Sequence, residues 1–310
     1  MIFSIGELLV EFVSHETGCG LKNLSTYSGP FPSGAPAIFA DQAAMVGAKS
    51  AVIGSIGDDP FGQIILDRLN NDGVETRYIT KSAHRTTGTA FVSYFHDGSR
   101  TFVFHLDGTA ADDISNIPTL ENGSILHISG ASLGSKNIRN VIMDLVRQSK
   151  SNCRISYDPN IRPELMKDAS IQSCINEIMD AADILLPSET DLAALYPGVS
   201  PETFIKEMLS KGKTAVIVKC GAKGAIGSNG NEILRAKPIL VDEIDPTGAG
   251  DCFCGTFLGL LDQQHDFTFA LSAANIAGAL HVSRRGPMEW NPSLQDINDH
   301  SKLKDLKYGS

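Results

Sequence analysis

The chain has 310 residues, 42% of them hydrophobic and 20% charged, with a formal net charge of −10. That length and apolar share suit a large α/β domain with a substantial core and exclude a disordered chain. An acidic chain with no basic cluster is a poor partner for nucleic acid or an anionic membrane surface, although backbone N–H groups can still supply local positive potential to a phosphate.

In chain order, "MIFSIGELLVEF" reads as a first strand. It has no basic flank and no small-residue cleavage site, and Glu7 and Glu11 interrupt its apolar run, so neither a leader nor a membrane span is expected. On one strand, Glu7 and Glu11 would share a face, and burying both carboxylates is costly unless they bind hydroxyls or a partner. A polar extended piece over 20–30 follows. Amphipathic stretches at Ala37–Gly47, Phe61–Asp72, Asn137–Ser149 and Pro201–Gly212 then alternate with the short apolar runs "AVIGSI", "SILHIS", "CRISYD", "DILLP" and "TAVIVK". Several of those runs are apolar on both faces, which predicts a mostly parallel sheet covered by helices.

Residues 86–106 break the rhythm. Aromatic and β-branched residues flank Asp97-Gly98, a hairpin signal, and predict a small sheet standing off the body as a lid or a dimer contact. The six cysteines are scattered without a C-x-x-C pair, which fits free thiols in a reducing cytoplasm.

The most informative stretch is "DPTGAGDCFCG", Asp245–Gly255. The run from Ala249 has helical spacing in Cys252, Phe253, Phe257, Leu260 and Leu261, so Asp251 falls in the first turn of a helix. The N–H groups of Gly248, Ala249 and Gly250 then have no internal partner, and the small side chains let an anion approach them. A carboxylate beside an anion site suits a base that takes a proton from an attacking hydroxyl while the N–H groups hold a transferring phosphoryl group. The chain has no G-x-x-x-x-G-K-[ST] and no protein-kinase "HRD" or "DFG" set.

"DPTGAGD" resembles the C-terminal signature of the PfkB (ribokinase-like) carbohydrate kinases. The resemblance runs over nearly the whole chain: "SGAPAIFADQAAMVG" at Ser33–Gly47, "IGDDPFG" at Ile56–Gly62, "YDPNIRPEL" at Tyr157–Leu165, "VKCGAKGA" at Val218–Ala225 and "SAANIAGAL" at Ser272–Leu280 follow in the family's order. It implies a three-layer α/β/α domain spanning 1–310 with a β lid from about 10–30 and 86–110. The lid would exclude water over the sugar, and it could pair two copies into a homodimer.

The resemblance also assigns residues. Asp251 looks like the catalytic base, with Gly248, Ala249 and Gly250 as the anion hole. Lys219, Gly221, Gly224, Thr247, Asn275 and Ser188 are expected on the nucleotide side. Glu11, Gly34, Ala35, Ile38 and Arg162 are expected at the sugar. Asp191, Glu189 and Asp245 are the candidates near a metal, with ATP and Mg²⁺ as cofactors and room for a monovalent cation such as K⁺. Three departures stand out: Ile38 replaces a family asparagine that meets a sugar hydroxyl, Ser33 replaces the first glycine of its turn, and "SETD" at Ser188–Asp191 replaces an Asn-x-x-Glu motif. They leave the phosphoryl-transfer half intact and make the sugar pocket more apolar.

"GELLVEF" and "DPNIRP" resemble the fructokinase and 2-keto-3-deoxygluconate kinase side of the family. The resemblance therefore implies a cytoplasmic, ATP-dependent kinase acting on a primary hydroxyl of a ketohexose, fructokinase-like or tagatose kinase-like. The alternative is 2-keto-3-deoxygluconate kinase, whose acceptor carboxylate needs a cation such as Arg162 or Arg100. A reading from another class, a non-catalytic sugar-binding regulator, draws on Ile38 and Ser188 and is opposed by Asp251 with its intact "TGAG".

Overall fold

Two sheets divide the strands of the computed structural model, which describes residues 1–310 apart from 97, 98, 163–165, 167, 309 and 310. In chain order the strands are β1 (Ile2–Ile5), β2 (Leu9–Ser14), β3 (Tyr27–Ser33), β4 (Ser50–Gly57), β5 (Ile79–Ser82), β6 (Gly88–Tyr94), β7 (Arg100–His105), β8 (Ile125–Ser129), β9 (Arg154–Asp158), β10 (Ile184–Leu185), β11 (Ala215–Lys219), β12 (Ala225–Ser228) and β13 (Leu234–Ala236). The helices are α1 (Ala35–Met45), α2 (Pro60–Asn71), α3 (Lys136–Ser149), α4 (Ala169–Ala181), α5 (Glu189–Leu195), α6 (Pro201–Ser210), α7 (Ala249–Asp262), α8 (Phe267–His281) and α9 (Leu294–Tyr308).

The large sheet has the order β13-β12-β11-β10-β9-β8-β1-β4-β5. Every neighbouring pair from β11 to β5 is parallel, and the two antiparallel strands β12 and β13 close one edge. The period of two sorts its strands between two cores. Ile2, Ala215 and Ile217 face a core built with α1, α7 and α8, whereas Phe3, Val216 and Val218 face one built with α3, α4, α5 and α6. Helices on both faces of a mostly parallel sheet give the three-layer α/β/α arrangement that the doubly apolar strands implied.

The small sheet has the order β3-β2-β6-β7. The β6–β7 hairpin is antiparallel as expected; its Asp97-Gly98 turn lies outside the described residues. Its central pair, β2 with β6, is parallel, because both strands leave the body side by side. The single N-terminal strand expected over "FSIGELLVEF" is instead two. β1 ends at Ile5, and the chain crosses at Gly6, where a Cβ would lie 2.2 Å from Ser132 Oγ, before β2 starts in the small sheet. Glu7 is therefore in the crossing and Glu11 on β2, so the shared strand face expected for them does not exist. Among the described residues no helix is long and apolar enough to cross a membrane.

Candidate active site

The turn that starts α7 stands between two cavities. Gly248 caps the helix in the left-handed region at φ 84°, and a Cβ there would lie 2.8 Å from Pro287 O and 3.0 Å from His281 Nε2. Only glycine relieves both constraints. Helix geometry leaves the N–H groups of the first turn without internal partners. Ala249 N–H is turned back on Pro246 O, at a long 3.4 Å.

The first cavity, about 330 Å³, is lined on this turn by Thr247, Gly248 and Asp251 and roofed by the small sheet. The β6–β7 register puts Tyr94, Val92 and Ala90 beside Arg100, Phe102 and Phe104 on the inward face, of which the last three line the cavity. Phe91 pairs with Val103 on the outward face, stacked on Phe12 at 5.1 Å. Glu7, Glu11, Gly34, Ala35, Ile38 and Arg162 complete the part of the wall that matters here. Gly34 has φ 110°, and a Cβ there would meet Glu7 O at 2.4 Å, which is why the α1 loop can press against the β1–β2 crossing.

Three buried carboxylates line this cavity. Glu7 Oε2, Glu11 Oε1 and Asp251 Oδ1 are all buried and accept no hydrogen bond from the described residues. Burial raises the Asp251 pKa to about 7; the nearby Asp158 charge adds to the rise, and Lys219 and Arg162 oppose it. Burial raises Glu11 to about 8, helped by the Asp245 charge and opposed by Ser33, Arg100 and Arg162. Burial raises Glu7 as well. The serine that replaces the turn's first glycine has acquired a partner: Ser33 Oγ donates to Glu11 Oε2 at 3.3 Å. Arg100 and Arg162 both stack over the Phe102 ring, at 5.3 and 5.9 Å, and Arg100 Nη1 is buried without a hydrogen-bond partner.

The second cavity, about 280 Å³, takes the other side of the same turn: Pro246, Ala249 and Gly250. Lys219, Gly221, Gly224 and Asn275 line it, together with apolar side chains such as Phe253 and Val282. Gly221 opens a tight turn after β11, and Gly224 lies so close to β13 that a Cβ would sit 2.1 Å from Ala236 O. The Lys219 ammonium pairs with the buried Asp158 carboxylate and lies 3.6 Å from Cys254 Sγ. Burial alone would lower the Lys219 pKa, but the Asp158 charge and hydrogen bond together with the other negative groups nearby, Asp191 among them, more than offset it, so the pKa is raised and the ammonium stays charged. A Cβ on Gly250 would be 3.4 Å from that Nζ, so the glycine keeps the cation next to the turn. Asn275 Nδ2 donates to Lys237 O at 2.8 Å.

Most of the expected site residues thus converge on one helical turn, but not all in the expected place. Thr247 lines the first cavity, not the second. Ser188 lines neither: its hydroxyl caps α5 by accepting from Asp191 N–H at 3.1 Å, and Asp191 answers by accepting from Ser188 N–H at 2.7 Å. Asp191 Oδ1 also accepts from Ile161 N–H at 2.7 Å, so both its oxygens are occupied. Glu189 pairs with Lys223 at 3.0 Å. Asp245 accepts from Thr247 N–H at 3.0 Å, from Gly286 N–H at 2.9 Å and from the Tyr94 hydroxyl. The three carboxylates expected near a metal therefore do not converge, and among the described residues no group of three or more metal-binding side chains exists.

Sequence reasoning passed over Asp158, favoured Glu11 over Glu7 at the sugar, and did not place Tyr94 or the inward phenylalanines at the site. Asp158 had a signal, since a lysine at the end of a buried strand needs a counter-charge. Tyr94 had none, because its partners lie 151 and 153 residues away.

A base in one cavity, an anion-binding turn shared by both and a cation in the other define a phosphotransferase for a small hydroxyl compound. The chain belongs to the pfkB family of carbohydrate kinases, whose family model matches residues 1–294. It is 30% identical to a fructokinase of Vibrio alginolyticus over 278 residues, covering 86% of this chain and 90% of that one. Among solved structures, an E. coli protein provisionally named ribokinase II, in complex with ATP and Mg²⁺, matches with a TM-score of 0.89 and 36% identity over 97% of this chain and 99% of that one. A double variant of the Vibrio cholerae O395 fructokinase, bound to fructose, ADP and potassium ion, matches with a TM-score of 0.83 and 27% identity over 96% and 97%. The protein is a sugar phosphotransferase with a ribokinase-like fold.

Proposed function

We propose that this protein transfers the γ-phosphoryl group of ATP to a primary hydroxyl of a ketohexose, in the manner of a fructokinase. One observation carries the reading: the α7 turn gives Asp251 to the cavity under the lid and Ala249 and Gly250 to the nucleotide-sized cavity. A hydroxyl held against Asp251 Oδ1 loses its proton to a carboxylate whose affinity for protons is already matched to neutral pH. The N–H groups of Gly248 and Gly250 take the charge on the phosphoryl group, and Lys219 neutralises the phosphates from the other side. Asn275 and the apolar wall suit a purine. The relatives solved with ATP and Mg²⁺ and with fructose, ADP and potassium ion support this assignment of ligands to the two cavities.

The donor set fits ATP: a cation, a glycine turn and free N–H groups. It offers no cage of carboxylates for a metal among the described residues. Mg²⁺, which keeps several waters and binds chiefly through phosphates, would accompany the nucleotide and neutralise its charge. Asp245 has both oxygens occupied by N–H and O–H donors, so no step is assigned to K⁺ there.

A second reading, an acidic sugar such as 2-keto-3-deoxygluconate, is favoured by Arg100 and Arg162 over Phe102, since Arg100 Nη1 has no partner of its own. ADP release measured over a panel of ketohexoses and 2-keto-3-deoxygluconate separates the two. Turnover on fructose or tagatose is expected; turnover on the keto acid alone would replace the ketose with the acid. The outward lid face with Phe91 and Val103, 37% and 53% exposed, would serve a homodimer, which sedimentation would detect.

A further inference from the structure

The short segment Asp245–Thr247 leads directly into the Gly248 turn, and its position fixes where the anion-binding N–H groups and Asp251 stand. Asp245 N–H donates to Val282 O at 3.0 Å, and three further contacts anchor the segment. Gly286 N–H donates to Asp245 Oδ2 at 2.9 Å. His281 Nε2 lies 2.8 Å from Thr247 O, and because a carbonyl only accepts, Nε2 carries the proton. Burial lowers the pKa of this imidazole, consistent with a neutral ring that donates from Nε2. Those two anchors belong to the body. The third belongs to the lid: the Tyr94 hydroxyl, at the end of β6, touches Asp245 Oδ1 and lies 2.6 Å from Thr247 Oγ1.

The proton count along this link is determined. A phenol has one proton, and the carboxylate can only accept, so Tyr94 donates to Asp245. Thr247 Oγ1 therefore donates to the Tyr94 oxygen. With its single proton so committed, Thr247 can present only lone pairs to the cavity it lines. The chain Thr247 → Tyr94 → Asp245 thus ties a lid strand to the segment that carries the catalytic turn, and it fixes the polarity of one wall of the acceptor cavity.

We propose that Tyr94 is a positioning residue for phosphoryl transfer, holding Asp245–Thr247 in register when the lid is seated and orienting Thr247 to accept from an acceptor hydroxyl. Lid seating and order in the catalytic turn are then one equilibrium, so nucleotide bound without a sugar under the lid meets a less ordered turn. The role rests on the kinase reading above, and it adds a demand on the acceptor. Thr247 and ionised Asp251 both accept, so the acceptor must present hydroxyl donors to that wall.

Tyr94→Phe deletes the shared oxygen and keeps the ring. Losing a hydrogen bond to a charged group is expected to lower kcat/KM for the accepted sugar by roughly ten- to hundredfold, with KM for ATP changed by less than about twofold. In the nucleotide-free protein, amide exchange is expected to rise at residues 245–250 and to stay unchanged in β1, β8 and β9. Thr247→Val leaves the Tyr94–Asp245 bond in place, so adding Tyr94→Phe to it should still lower kcat/KM, but by less than in the wild type, where both bonds of the Tyr94 oxygen are lost. Should Tyr94→Phe not fold, Thr247→Val read against Thr247→Ser tests the link from the body side, the serine retaining activity. Unchanged kcat/KM and unchanged exchange in a folded Tyr94→Phe would overturn the role; so would equal losses toward ATP and sugar. If the wild type phosphorylated no sugar, the kinase reading would fail while the exchange measurement still decided the link.

Discussion

Replacing Asp251 by asparagine should remove activity and add stability, in amounts set by the same buried charge. Asp251 is 7% exposed, and its pKa stands at about 7 against an ordinary 3.8. Because the folded value lies above the unfolded one, the stability tied to this group is complete below about pH 3.8 and is lost as pH rises through about 7. At about 1.4 kcal/mol per pH unit, the penalty for ionised Asp251 grows from about 2 kcal/mol at pH 5 to a ceiling of about 4 kcal/mol at pH 8. Unfolding entropy near 2.1 cal/mol/K per residue turns the ceiling into about 6 °C of Tm for this chain. The Asp251→Asn variant would recover part of it, more at pH 8 than at pH 5. For turnover the sign reverses, since a base must be ionised: wild-type kcat/KM should climb about tenfold per pH unit up to about pH 7, where the acid limb set by Asp251 ends. Asp251→Asn should lose about 10²–10⁴ in kcat and with it that acid limb. ADP release from pH 5 to 9, alongside melting curves at the two pH values, measures both. An asparagine variant with near-full turnover would refute the base, and one no more stable than wild type at pH 8 would refute the buried-charge argument.

Gly248→Ala should destabilise by about 2–3 kcal/mol, because the left-handed φ and the Pro287 carbonyl at 2.8 Å both oppose a methyl group. Gly250→Ala should stay within about 1 kcal/mol of wild type yet raise KM for ATP several-fold, since its methyl projects beside Lys219; equal losses in melting temperature for the two would contradict the assignment of the turn. Glu11, held at about 8 mainly by burial, is protonated at neutral pH and can donate to a sugar oxygen. Activity should therefore fall above about pH 8, and Glu11→Gln, which always donates, should abolish that alkaline limb. Asp158→Asn leaves the Lys219 ammonium buried without its counter-charge and should cost about 3–5 kcal/mol in urea unfolding. Adding Lys219→Met should restore most of that stability but not activity, and failure of the rescue would show that the carboxylate matters for more than the lysine.

The body of the fold was legible because burial on both faces writes itself into consecutive residues. "TAVIVK" and "CRISYD" could only be strands buried between two layers, and β11 and β9 are those strands. The small sheet was only half legible. Its hairpin is local in sequence, but the parallel β2–β6 pair joins segments about 80 residues apart, and no local pattern encodes such a pairing. The N-terminal strand was misread for a related reason. Gly6 marks the crossing from one sheet to the other through its contact with Ser132, a residue far along the chain, so the apolar run hides the break.

The candidate site divides along the same line. Asp251, Gly248 and Gly250 were readable because a helix start makes its own chemistry: the unpaired N–H groups and the early carboxylate follow from position alone. Residues whose role depends on a distant partner were not. Asp245, within "DPTGAGD", invites a metal or a phosphate when read locally, yet its oxygens are spent on Thr247, Gly286 and the lid's Tyr94. Asp191 likewise closes a capping box instead of facing a ligand. A carboxylate in a motif is a free ligand only if nothing else in the fold has claimed its lone pairs. Here that accounting leaves Glu7, Glu11 and Asp251 as the buried carboxylates with an oxygen still open toward the acceptor cavity. The acceptor's hydroxyl groups are the partners those oxygens lack.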